Sequence, residues 1–267
     1  VDPFAGEIAD GKLYGRGTTD MKSGVAAFVT AALHIADELT KGPGLVLVIT
    51  AGEETGCEGA YHLAELGGAL GDAGAIIVGE PTSNRPRIGH KGALWLKATM
   101  KGVTAHGSRP EDGDNAVYKA ARAINQLEDF DFNIARHELL GKPTLNVGTV
   151  HGGMNINSVP DLAEIGIDIR TIPDQNHTTL QSQLAGYLGE EVELEPVVDV
   201  DGVLTNSADE WVQEVNEVMT GIQGAIPEYE TGTGFTDASV LTPAYGGAPT
   251  LILGPGEPFM AHKTDEY

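Results

Sequence analysis

The stretch "GLVLVITAGEETGCEGA", residues 44–60, runs from unbroken apolar residues straight into two adjacent carboxylates, Glu53 and Glu54. Residues 44–52 are rich in β-branched side chains and show no alternation. That pattern predicts a strand covered on both faces. Two like charges just beyond a buried strand repel each other and, close to a core, require a partner. Either both point to water, or a strongly cationic group lies where the strand ends.

The same reasoning applied outward builds a sheet. Residues 73–80 ("AGAIIVGE") and 248–256 ("APTLILGPG") are further short apolar runs and read as buried strands. Residues 20–39, 57–68 and 208–222 carry apolar side chains at helical spacing, with Asp20 near the first N-cap. Helices alternating with buried strands predict an α/β fold with a doubly wound sheet. Residues 87–190 differ. There "IGHKGALWLKATMKG", "TLNVGTVHGG" and "LAEIGIDIRTIP" alternate with partial period two, as strands with one wet face do. Helical stretches at 114–130 and 178–189 accompany them. A four-stranded antiparallel sheet with two helices on one face is expected, inserted into a domain made of 1–86 and 191–267.

A chain of 267 residues has room for two such domains. Its 39 acidic against 16 basic residues give a net charge of −23, which argues against nucleic acid and anionic membrane surfaces as partners. No apolar run reaches the length of a bilayer span. The lone Cys57 cannot form an internal disulfide or a thiolate zinc site, and it fits a reducing cytoplasm. The first residues, "VDPFAGEIADGKLYGRG", read as the turn-rich interior of a domain, and "AHKTDEY" stops as abruptly. Both ends are expected to be cut.

In an open α/β sheet, ligands bind beyond the carboxyl ends of the strands. Glu53 and Glu54 follow the expected strand 44–52, Glu80 ends the next, His262 comes shortly after 248–256, and Asp20 opens a helix. Carboxylates plus one imidazole, without thiolate, suit zinc, cobalt or manganese. One acid too many for a single ion implies two, roughly 3.5–4 Å apart and bridged, with the surplus Glu available as a base. Each residue also has a plain alternative: a helix cap for Asp20, a solvated pair for Glu53 and Glu54, and surface groups for Glu80 and His262. A calcium module is a poorer reading, because His262 is the wrong ligand type for it.

"DGKLYGRGTTDMKSG" (10–24), "ITAGEETGCEGA" (49–60), "VGEPT" (78–82), "GVTAHGSRP" (102–110) and "GPG" followed by "AHKTDEY" together resemble the M20 metallopeptidase family. The likeness is greatest to its acetylornithine deacetylase and succinyl-diaminopimelate desuccinylase branch. It implies a zinc-peptidase-like catalytic domain carrying a ferredoxin-like α+β lid and dimerisation domain, and hence a homodimer. By position, Asp20 matches the bridging metal ligand, Glu53 the general base, Glu54 and Glu80 ligands of different metals, and His262 the histidine of the second site. His106 matches a histidine that steadies the oxyanion in a partner subunit's site. Asn157, Arg170 and Gly254 fall where the resemblance implies substrate contacts, and "TGTGFTDAS" (231–239) where it implies a substrate loop. His90 is expected to be structural.

The family's His-x-Asp motif, upstream of the first residue here, is not in the chain. The resemblance therefore implies two divalent metals, zinc or cobalt, in the full-length protein, and one or none in this fragment. The reaction implied is hydrolytic removal of an acyl group from an N-acyl amino acid. A dipeptidase or aminoacylase of the same family is the alternative enzyme, and a dimeric scaffold with a vestigial metal site is the alternative of another class.

Overall fold

The computed structural model describes residues 2–224 and 229–267. In chain order the elements begin with β1 (Glu7–Ala9), β2 (Lys12–Tyr14), α1 (Ser23–Leu39), α2 (Glu58–Glu65), β3 (Ile76–Val78) and β4 (Arg87–His90). They continue with β5 (Gly92–Lys101), α3 (Ala116–Glu128), β6 (Thr144–Gly152), β7 (Leu162–Thr171), α4 (His177–Leu188) and β8 (Val192–Val200). The last are β9 (Val203–Leu204), α5 (Glu210–Gln223), β10 (Glu230–Gly232), α6 (Ala238–Ala244) and β11 (Thr250–Ile252). Two compact units result: one built from residues up to His90 with Val203–Gly232 and Thr236–Tyr267, the other from Lys91–Gly202 with Thr233–Phe235.

The second unit has the element order βαββαβ and a four-stranded antiparallel sheet in the order β6-β7-β5-β8. Period two dictates its core. Along β7, Ala163, Ile165, Ile167 and Ile169 are buried while the residues between them are not. Leu94, Leu96, Ala98 and Met100 do the same on β5. Both rows pack with Ala120, Ala123 and Leu127 of α3 and with Leu180, Leu184 and Leu188 of α4. Each helix starts at an asparagine whose side chain accepts a backbone N–H: Asn115 from Tyr118 and Asn176 from Thr179. The unit runs past the expected boundary at 190 to Gly202, because the edge strand of the sheet is Val192–Val200. Its other boundary falls after His90 rather than 86, since β4 pairs with β9, β10 and β11 of the first unit.

The first unit holds a five-stranded mixed sheet in the order β10-β4-β11-β3, with β9 also on β4. The β11–β3 and β10–β4 ladders are parallel, and β4 is antiparallel to β11 and β9. The strands expected at 73–80 and 248–256 are present as β3 and β11. The strand expected at 44–52 is not. Among the described residues no ladder includes this segment, and Leu45, Val46, Leu47 and Ile49 stand exposed. A strand exists through its hydrogen-bonded neighbour, and here none lies alongside. Among the described residues no helix is long and apolar enough to cross a membrane.

Leu184 is fully buried between α4 and the second unit's sheet, whereas Leu33 on α1 is 73% exposed. Leu184→Ala should lower the stability of the second unit by about 2–5 kcal/mol in urea titrations followed by Trp95 fluorescence. Leu33→Ala should leave the same transition where it is.

Candidate metal centre

Asp20 lies on a single wide turn, Thr18–Lys22, that precedes α1 and leaves helical geometry at φ −114°, ψ 93°. The α1 N-cap is Lys22, so Asp20 is not the cap that its position suggested. What brings its turn to the sheet is bare backbone. A Cβ added at Gly24 would lie 2.1 Å from the Gly79 carbonyl oxygen, and one at Gly254 would lie 2.3 Å from the same atom. Only glycine permits this approach. It joins the start of α1, the end of β3 and the segment after β11, and so sets Glu80 close to Asp20.

Glu53 and Glu54 occupy a short 3₁₀ turn, Glu53–Thr55, bounded by Gly52 (φ 79°) and Gly56 (φ 114°), both left-handed. The first turn of α2 fastens it, with the Glu58 and Gly59 amides donating to the Gly52 and Ala51 carbonyls at 3.2 and 2.9 Å. The turn answers the question the two adjacent acids raise, because it separates them. Glu54 Oε1 lies 3.4 Å from His262 Nε2, and Asp20 Oδ2 lies 3.4 Å from the same nitrogen. One ligand atom from each of Asp20, Glu54 and His262 falls within 4.8 Å of the others. Glu53 is among the charges that act on Glu80 and Cys57.

The electrostatics call for a cation. Burial, then the neighbouring charges of Glu53 and Asp20, push the Glu80 carboxyl up to about 9. Asp237 is buried beside this group. Its Oδ2 accepts from Thr50 Oγ1, while Oδ1 is buried without a hydrogen-bond partner. Burial and the Asp237 charge also raise the Cys57 thiol, which stays neutral and inert. Oxygen donors with one imidazole, an orphaned buried carboxylate oxygen and mutual repulsion together fit a divalent ion of zinc type.

In the second unit, His106 and Asn157 are neighbours. The Gly107 amide donates to the Asn157 carbonyl at 2.7 Å, and the His106 ring is oriented by Ser108 Oγ at 2.8 Å from Nδ1. Arg170 lies on β7. It grips Asp168 through Nε at 2.8 Å and Nη2 at 3.1 Å, with its guanidinium 5.8 Å from the ring centres of both Trp95 and Phe235. Gly254 has its amide and carbonyl engaged with Thr82 and Asn84. Its visible part in the site is the close contact with Gly79. His90 is buried, with Nε2 3.1 Å from Thr236 Oγ1.

A mixed α/β chain with an acid-and-imidazole cluster gathered from the turn before α1, the 3₁₀ turn before α2 and the loop after β11 has the anatomy of a metallohydrolase. Residues 1–267 match the model of peptidase family M20/M25/M40, and the chain belongs to that family and is a hydrolase. It is 36% identical to an acetylornithine deacetylase of Klebsiella pneumoniae (strain 342), across all of this chain and 70% of that one. It is 31% identical to a probable succinyl-diaminopimelate desuccinylase of Staphylococcus epidermidis, across 99% of this chain and 73% of that one. Among solved structures, the M20 family metallo-carboxypeptidase Sso-CP2 of Sulfolobus solfataricus superposes with a TM-score of 0.80 over 99% of this chain and 75% of that one. Its 19% identity makes this a likeness of fold.

Sequence reasoning passed over Asp237, Thr50, Arg16 and Glu266, all of which touch the site or the turns that carry it. For Asp237 the available signal is an acid between apolar and small residues in "GFTDAS". For Glu266 it is an acid close behind a candidate ligand, His262.

A carboxyl held near 9 in the fold, against an ordinary value of 4.5, contributes stability that is full below the ordinary value. That stability is lost as pH rises toward 9. Glu80→Gln removes the dependence. In the presence of a chelator, the variant should melt above the parent at pH 8, by about 2–4 °C for each kcal/mol relieved, and together with it near pH 4.

Proposed function

We propose that the chain acts as a metal-dependent amidohydrolase that removes the acyl group from an N-acyl amino acid, of acetylornithine deacetylase or succinyl-diaminopimelate desuccinylase type. The observation that carries the reading is the convergence of Asp20, Glu54 and His262 within 4.8 Å, next to Glu53 and Glu80. The substrate class rests on the relatives' activities. In this reading Asp20, Glu54 and His262 hold one ion, zinc or cobalt, while Asp20 and Glu80 offer a second ion two ligands. Three ligands hold more firmly than two, so one tightly bound ion per chain is expected. When bound, such an ion polarises the acyl oxygen and acidifies water.

The chain's own residues supply the proton transfers. Glu53, held on its 3₁₀ turn and not needed as a ligand, takes the proton of the attacking water and later gives one to the departing amine. We assign the second unit as the ferredoxin-like lid and dimerisation domain, a reading supported by its βαββαβ order. We take the first unit as the doubly wound, zinc-peptidase-like catalytic domain. His106, its ring held by Ser108, then serves the oxyanion in the other subunit of a homodimer, and Asn157 and Arg170 bind the polar groups of the substrate. Gly254 contributes by admitting the Glu80 backbone. The enzyme is placed in the cytoplasm with no nucleic acid or membrane partner, which agrees with the charge of −23, although that charge opposes an anionic substrate at long range.

Two measurements test the assignment. Glu53→Gln should lower kcat on acetylornithine or succinyl-diaminopimelate by about 10²–10⁴-fold with metal content unchanged. Retained turnover would remove Glu53 as the base. Arg170→Ala should raise KM more than it lowers kcat, and the opposite split would place the guanidinium in the transition state.

A further inference from the structure

We propose that Glu266, clasped by Arg16, is a positioning residue that sets the spacing between Asp20 and His262. The inference rests on the reading of Asp20, Glu54 and His262 as metal ligands, and extends it to residues that touch no ion themselves.

Glu266 is a carboxylate only 3% exposed. Its Oε1 accepts the backbone N–H groups of Thr19 and Asp20, each at 3.0 Å. Its Oε2 takes Arg16 Nη1 at 2.5 Å. The second Arg16 nitrogen, Nη2, donates to the carbonyl of Lys263 at 3.0 Å. The Gly15 amide donates to the Glu266 carbonyl at 3.0 Å, which pairs the two backbones at one further point. Asp20 is thus fixed by its own amide, and the loop carrying His262 is fixed at the next carbonyl, by one ion-paired unit. That loop needs an outside tie, because His262 sits at φ 63°, a region L-residues rarely enter. The turn carrying Asp20 needs one too, since no side chain caps the start of α1.

Two other accounts predict different results. If Glu266 acts only through its charge, Arg16 opposes it, and removing the guanidinium favours a nearby cation. If both residues serve only folding, their loss lowers the melting temperature and leaves metal affinity alone. The clasp predicts that loss of either partner weakens binding, because the ligand atoms lose their spacing.

The test uses this chain stripped of metal, titrated with Co²⁺ against a chromophoric chelator, with the Co²⁺ visible spectrum and the metal-free melting temperature recorded. His262→Ala should abolish tight binding. Glu266→Gln should weaken it about 10–100-fold, the range for residues that orient metal ligands, and alter the spectrum. Arg16→Gln should also weaken it, by less, against the electrostatic sign. Parental affinity and spectrum in Glu266→Gln and Arg16→Gln, with binding lost in His262→Ala, would overturn the clasp and leave the metal site standing. Parental binding in His262→Ala would overturn both. Should Glu266→Gln fail to fold, Arg16→Gln decides alone, since that side chain is 46% exposed and its loss is tolerable.

Discussion

Carboxylates that repel one another are held together by contacts that cannot relax. At about 4 Å two like charges cost on the order of 4 kcal/mol, even with an effective dielectric near 20. Asp20 and Glu80 are brought together by the packing of Gly24 and Gly254 on the Gly79 backbone, which leaves little room to separate, and Glu53 and Glu54 are held on their 3₁₀ turn by the first turn of α2. The repulsion has two outlets. A proton settles on Glu80, whose carboxyl is pushed up to about 9 by burial and the neighbouring charges, or a divalent cation replaces it. The chain is therefore built around a charge that it does not itself supply.

The acids had a readable signature because each follows an apolar run or opens a helix, and strand ends are where an α/β sheet gathers ligands. β3, β11 and the alternating strands β5 and β7 were legible for the same reason: their burial pattern is their own. Residues 44–52 were not. An apolar, β-branched run states a preference for a covered strand, but the cover is a property of neighbours, and the segment ends with its leucines and isoleucine in the open. Likewise β8 reads "VELEPVVDV", with acids and a proline that disguise an edge strand, so the second unit was expected to end too soon. Glu266 escaped notice because what defines it is the set of amide groups pointing at it, and amides leave no mark in a sequence.

The two kinds of support around the site differ in what they do. Glycine contacts set how near the segments approach, and no other residue can substitute there without moving backbone. Hydrogen bonds set orientation: Thr50 to Asp237, the α2 amides to Gly52 and Ala51, and the Thr19 and Asp20 amides to Glu266. The acids that accept these bonds are further anions near an already anionic cluster. They are tolerated because each is matched by donors, with one exception, Asp237 Oδ1. Uneven matching of this sort raises the electrostatic potential energy of the metal-free state and so increases the gain when a cation arrives.

In the proposed function, substrate recognition faces the opposite problem. A chain of net charge −23 repels an anionic acyl amino acid at long range, and a screening length of about 8 Å at physiological salt removes much, but not all, of that barrier. Arg170 is no simple remedy, because Asp168 already occupies its Nε and Nη2 and cancels most of its charge. What survives is direction. The guanidinium has five donors, and Asp168 uses two of the nitrogens, so the remaining N–H groups stay in a plane fixed by the carboxylate and flanked by Trp95 and Phe235. Asp168 is itself held by Trp95 Nε1 at 2.9 Å, which makes the assembly rigid before any ligand arrives. Recognition by such a group depends on short-range hydrogen-bond geometry more than on net attraction. In its proposed role as a substrate contact, Arg170 should therefore contribute affinity that changes little with ionic strength, while selectivity for a correctly placed carboxylate is kept.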